Sequence, residues 1–185
     1  MRLFPLTLAS AALLLAAGPA GALGGAVTAM ANLVGTPAGD AGRAIFTEAP
    51  TGVLIRIEVK GLKPGWHGVH FHEKGDCSSA GFKSAGPHMH GAAAAVHGLL
   101  NPGATETGDL PNIYVAADGT GAAEFLTTAV SLKGAGGRPA LMDADLSALV
   151  IHANPDDHMS QPIGGAGDRV ACGIIVFGEG STDLH

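Results

Sequence analysis

Residues 52–60, GVLIRIEVK, alternate Val53, Ile55, Ile57 and Val59 with Leu54, Arg56, Glu58 and Lys60. A period of two puts one set on each face of an extended chain, so this run is a half-buried β-strand. Whatever else the chain does, it must supply a sheet for that strand to join. The 29 glycines and 11 prolines scattered through 185 residues interrupt long helices and favour tight turns. Further short apolar or alternating runs occupy 25–34, 42–47, 67–73, 113–116, 122–127, 147–152 and 170–177, with Asp118-Gly119 as a hairpin signal. Seven or eight short strands predict an all-β fold, an antiparallel sandwich or barrel in one domain. The stretches 74–111 and 153–169 carry almost no β pattern, and loops of that length in a compact domain are usually functional. The run AAAAV at 92–96 could add a helical turn.

The first 22 residues read differently: Arg2, an apolar run to about Ala17, then Ala20-Gly21-Ala22 as a small-residue cleavage site. This is the pattern of a secretory signal peptide, which leaves 23–185 as the mature domain. The apolar run is shorter than the roughly 20 residues a spanning helix needs, and no cysteine follows it to carry a lipid. The expectation is a periplasmic or secreted protein with no membrane attachment after cleavage. Cleavage removes only Arg2 among the charges, leaving 9 basic against 16 acidic residues, a net charge of minus 7. Without a basic stripe, general nucleic-acid binding is excluded as a leading role. A small anion drawn into a locally positive cleft is not excluded. Cys77 and Cys172 are the only cysteines, and in an oxidising compartment they are expected to form one disulfide, two separate buried thiols being the alternative.

Six of the nine histidines fall between Trp66 and His97: His67, His70, His72, His88, His90 and His97. Histidine is the commonest metal ligand among side chains, so this density points to a metal site. His70 and His72 are two residues apart on a predicted strand and share a face, which makes them half of such a site. His67, an odd number of residues away, projects to the other face and reads as structural. The remaining ligands must come from elsewhere, with His88, His97, an acidic residue near Asp109, and His152 in LVIH as candidates.

The motifs HGVHFHEKGDC, SAGPHMH, GDLPN, LVIHANPDDH and GGAGDRVACGII, in that order, resemble the copper–zinc superoxide dismutases, closest to their exported bacterial branch. The similarity runs from about residue 26 to 177. It implies an eight-stranded antiparallel Greek-key β-barrel with two long functional loops. It further implies copper held by His70, His72, His88 and His152, and zinc held by His88, His97 and Asp109, with His88 bridging the metals. Asp156 would link the two sites from behind the ligands, Cys77 and Cys172 would pair, and Arg169 would stand beside copper. The substrate would be superoxide: one anion reduces copper and leaves as oxygen, the next reoxidises it and leaves as hydrogen peroxide. His88 would release copper on reduction and return a proton. Lys83 is either a steering charge or an ordinary solvated lysine. A homodimer is one assembly the resemblance allows, and no stretch selects an interface.

The match departs from the family in the zinc loop. Glu106 falls where the third zinc histidine usually stands, three residues before Asp109, and glutamate binds zinc as well as serving as a solvated loop residue. After His88 the family's aromatic residue and Asn-Pro are replaced by Met89-His90-Gly91, so His90 is the other candidate for the missing ligand. A reading from another class keeps the copper and drops the turnover, giving an exported copper-binding or storage protein. Arg169 with its intact loop speaks for the enzyme, since a metal store has no need of it. His158 and His185 carry no assigned role and are expected at the surface.

Overall fold

The computed structural model describes residues 27–91 and 94–178. The predicted signal peptide and His185 lie outside the described residues. Along the chain come β1 (Thr28–Gly35), β2 (Asp40–Ala49), β3 (Gly52–Val59), β4 (Gly65–His67) and β5 (Val69–His72). A 3₁₀ segment (Ala80–Ala85) interrupts the first long loop, and β6 (Ile113–Val115), β7 (Gly121–Thr127), β8 (Ala148–His152), β9 (Arg169–Ile174) and β10 (Val176–Phe177) follow. β4 and β5 are one run broken at Gly68, and β9 and β10 one run broken at Ile175, so among the described residues the segments make the eight strands expected. Among the described residues no helix is long and apolar enough to cross a membrane.

The strands hydrogen-bond in the order β5-β8-β9-β1-β2-β3-β7, with β10 also on β1 and β4 paired to β6. The break at Gly68 hands one strand from β6 to β8. β6 turns into β7 where Ala116 donates to the Thr120 carbonyl at 2.7 Å and Asp118 accepts from the Thr120 amide at 3.0 Å. The sheet therefore curls on itself, and the β3–β4 and β7–β8 connections cross its ends in Greek-key fashion. Val53, Ile55, Ile57 and Val59 are buried as their alternation predicts. They pack with Leu33, Leu149, Ile151 and the Phe46–Phe71 pair, whose rings are 6.1 Å apart.

The same parity places the functional side chains. On β5, Val69 and Phe71 enter the core, so His70 and His72 lie on the outer face; on β8, Leu149 and Ile151 enter it, so Val150 and His152 lie outside. β5 and β8 are neighbours in the register His70–Val150 and His72–Ala148, which brings the three imidazoles onto one patch. The patch is covered rather than wet. Phe82 and Ala85 of the 3₁₀ segment pack on Ala148, Val150 and Cys172, and Cys77 bonds to Cys172. Residues 94–96 form no helical turn.

The disulfide joins positions 95 apart in sequence. Loop-closure entropy for that span sets an upper figure of about 4 to 5 kcal/mol. Cys77→Ser is expected to lower stability by a sizeable part of it, read as a shift of the urea midpoint with little change in slope.

Candidate metal centre

After β5 the chain loops out through the 3₁₀ segment and returns along the same strand. Met89 donates to the Phe71 carbonyl at 2.8 Å, and Phe71 donates to the Gly108 carbonyl at 2.8 Å. His88 is thereby set against His72 and Asp109 against His70. The approach depends on Gly108, where a Cβ would stand 2.4 Å from the Phe71 carbonyl oxygen.

His70, His72, His88 and His152 are all buried, with ligand atoms within 4.8 Å of one another. Each ring has one nitrogen occupied. His72 Nδ1 meets the Gly86 carbonyl at 2.9 Å, His152 Nδ1 the Gly167 carbonyl at 3.0 Å, His70 Nε2 the Asp156 carboxylate at 2.8 Å, and His88 Nδ1 the Glu106 carboxylate at 2.8 Å. The other four nitrogens, His70 Nδ1, His72 Nε2, His88 Nε2 and His152 Nε2, are buried with no hydrogen-bond partner. Four orphaned imidazole nitrogens are costly unless a cation accepts them all, and an all-imidazole set is one that suits copper. His67 is structural as expected, its Nδ1 2.6 Å from the His152 carbonyl and its Nε2 2.7 Å from that of Lys63.

A second set within 4.8 Å comprises His70, His88, His97 and Asp109. His70 has only one free nitrogen and its other is held by Asp156, so it belongs with the first set. Glu106 takes its place in the second: its Oε2 lies 2.8 Å from His88 Nδ1 and 3.0 Å from His97 Nδ1, while Asp109 Oδ1 lies 2.9 Å from the latter. Two imidazoles and two carboxylates in that convergence suit zinc. His90 does not join them, because its Nε2 faces the Glu73 carboxylate at 3.2 Å.

Asp156 stands behind both sets, accepting from His70 Nε2 at 2.8 Å and from His97 Nε2 at 3.0 Å. The sequence reading missed what grips it. The Asn112 carboxamide pairs with the Asp156 backbone in both directions, at 2.8 and 2.9 Å, and the His158 amide donates to Oδ1 at 2.7 Å. His158 is therefore not the plain surface residue expected, since its Nδ1 also sits 3.3 Å from Asp156 Oδ2. Arg169, across the β8–β9 pairing from His152, donates to the Phe82 and Gly86 carbonyls at 2.6 Å each. The Gly86 oxygen is thus shared by Arg169 and His72.

Burial pushes His70 down to about 4, against the pull of Asp156. Burial, helped by the His70 charge, takes His152 to about 3, and burial takes His72 well below its usual 6.5. Burial also lowers His88 and His97, but hydrogen bonds to Glu106, with Asp109 for His88 and Asp156 for His97, outweigh it and raise both. Burial would raise Asp109, yet its bonds to His88 and the Gly98 amide hold it at about 2. As pH falls through 6.5, the unfolded chain binds protons that His70, His72 and His152 refuse when folded, so these three withdraw stability. His88 and His97 act in the opposite sense, adding stability that is complete below 6.5, and Asp109 loses its contribution only between about 3.8 and 2. The lowering of His70 to about 4 and of His152 to about 3 outweighs the smaller rise at His88 and His97, so the metal-free protein is expected to melt lower at pH 4.5 than at pH 7.

A family profile described as copper/zinc superoxide dismutase matches residues 40–175. The chain is 68% identical over 136 residues to a superoxide dismutase [Cu-Zn] of Caulobacter vibrioides, spanning 74% of this chain and 78% of that one. It is 42% identical over 148 residues to superoxide dismutase [Cu-Zn] 2 of Aquifex aeolicus, spanning 80% and 85%. Among solved structures, a SOD-like protein from Bacillus subtilis superposes with TM-score 0.72 at 34% identity, covering 80% of this chain and 97% of that one. The Cu/Zn superoxide dismutase from Brucella abortus superposes with TM-score 0.66 at 25% identity, covering 80% and 99%. A barrel whose outer face gathers one all-imidazole and one mixed ligand set, joined through His88, and whose sequence matches in this way belongs to the copper/zinc superoxide dismutase family.

Proposed function

We propose that this chain dismutes superoxide with copper held by His70, His72, His88 and His152 and zinc held by His88, His97, Glu106 and Asp109. The observation that carries the reading is the set of four orphaned nitrogens facing one another in a buried pocket. Bound copper supplies the one-electron exchange by which one superoxide leaves as oxygen and a second, taking up two protons, leaves as hydrogen peroxide. The chain's own groups do the rest. Hydrogen bonds fix the second nitrogen of His70, His72 and His152, which sets each tautomer and aims the lone pair. His88 has a nitrogen toward each set, so it can stay anchored through Nδ1 and hold a proton at Nε2 whenever that nitrogen is not ligating. Arg169, held by two carbonyls, offers a fixed positive charge to an incoming anion. Lys83, exposed next to Phe82, extends that positive field toward solvent.

Arg169→Ala is expected to lower the dismutation rate roughly tenfold or more and to flatten its dependence on ionic strength, with copper content unchanged. A rate that keeps its salt dependence would remove Arg169 from the role. Glu106→Gln is expected to lose zinc while keeping copper, read by metal analysis after dialysis. Full zinc in that variant would return Glu106 to the status of a loop residue. We further propose that residues 1–22 direct export and that 23–185 form the mature periplasmic or secreted enzyme, for which amino-terminal sequencing of the cell-envelope fraction is the test. Copper storage without turnover is the second reading, and Arg169 beside His152 weighs against it.

A further inference from the structure

The two long loops grip each other through a pair of side-chain amides, and only one half of that grip acts on Asp156. Asn112 comes from the first loop and pairs with the backbone of Asp156 in the second. Gln161 comes from the second loop and pairs with the backbone of His97 in the first: the His97 amide donates to Gln161 Oε1 at 2.9 Å, and Gln161 Nε2 donates to the His97 carbonyl at 2.8 Å. Between the two amides lies the His97–Asp156 hydrogen bond. A carboxamide carries one acceptor and a donor pair on a planar group, so it can satisfy an adjacent N–H and C=O as a neighbouring strand would. Gln161 also donates to the Met159 carbonyl at 3.1 Å, which ties the side chain back to its own loop.

We infer that Gln161 is a positioning residue for His97: it fixes the backbone from which that imidazole is aimed at the mixed ligand set. The inference rests on the zinc-side reading above and adds a residue that touches neither metal nor substrate. His97 follows the stretch 94–96, which has no regular structure, so neither helix nor strand orients it. On the other side of His97, Gly98 packs against His158, and a Cβ there would meet the His158 carbonyl oxygen at 2.3 Å. Gly98 thus holds the chain after His97 to the second loop, and Gln161 accepts from the His97 amide and gives its carbonyl the shorter of two hydrogen bonds, the other coming from Asn101 Nδ2 of the first loop at 3.2 Å. Gln161 is itself exposed, so truncating it opens no cavity in the core.

The test uses the full mature chain, wild type beside Gln161→Ala and the apolar, similarly long Gln161→Met. Zinc affinity by chelator competition is expected to fall about ten- to a hundred-fold in both variants, the usual effect of removing a group that orients a ligand. The visible absorption of cobalt(II) loaded in place of zinc is expected to change shape. Copper affinity and the melting temperature of the metal-free chain are expected to stay where they are in the wild type. In the metal-free chain the His97 amide is expected to exchange slowly with solvent in the wild type and fast in both variants. Unchanged zinc affinity, or zinc, copper and melting temperature falling together, would overturn the positioning role. Equally fast His97 exchange in the wild type would do the same. His97→Ala separates the two inferences, because wild-type zinc affinity that survives it would sink the zinc-side reading itself, whatever the exchange of the His97 amide shows.

Discussion

Gly164→Ala is expected to loosen both metal sites at once although Gly164 ligates nothing. It has φ +59, and a Cβ built on it would lie 1.7 Å from Asp156 Oδ1 and 2.8 Å from His97 Nε2. The obstruction cannot be relieved by swinging a free side-chain end, because that carboxylate is tied to His70, His97 and the His158 amide. Either the loop backs away or Asp156 leaves its partners, and both release the outer nitrogens of His70 and His97. The left-handed backbone adds about 1 to 2 kcal/mol for any residue with a Cβ. Disrupting the buried network is expected to bring the loss of stability to roughly 3 to 5 kcal/mol. Gly165→Ala is the control. It shares the left-handed conformation at φ +71, but nothing lies within 4 Å of its built Cβ, so it should show the backbone cost alone. Thermal melts of both metal-free variants decide the matter. Equal, small shifts would mean that the loop yields and that Gly164 is not the wall described.

The contrast between these glycines shows where the sequence was readable. Strand parity at Val53, Ile55, Ile57 and Val59 is a local property, and it carried over into the barrel unchanged. His70, His72 and His152 were also readable, because a strand with alternate residues in the core can only present the others outward. The loops obey no period. Glu106 and His90 both stood as candidates for an absent histidine, and the return of the chain along β5 separates them, by setting Glu106 on His88 and His97 while His90 meets Glu73. Gln161, Asn112 and His158 were invisible for the same reason. A carboxamide that imitates a strand neighbour leaves no mark in composition or spacing. Positive φ at Gly164 was equally hidden, since the run of glycines near it looks like any flexible turn.

His152→Ala is expected to have the largest effect on activity. His152 supplies one of the four orphaned nitrogens, and it is the only one contributed by β8. The substitution leaves the strand intact, because the His152 amide still donates to the Gly68 carbonyl at 2.9 Å and the His152 carbonyl still faces His67. The loss is therefore confined to the ligand and to its bond with the Gly167 carbonyl. Removing a group that merely orients a ligand weakens metal binding about ten- to a hundred-fold, so removing the ligand should weaken copper by roughly a hundred-fold or more. Dismutation is expected to fall with it, while zinc on the other side of His88 stays bound. Copper and zinc content measured on the same samples as the rate separates the possible results. Copper retained in full with no dismutation in the wild type would favour the storage reading over the enzyme. A variant that keeps both copper and rate would mean that three imidazoles suffice and that His152 belongs to the strand rather than to the metal.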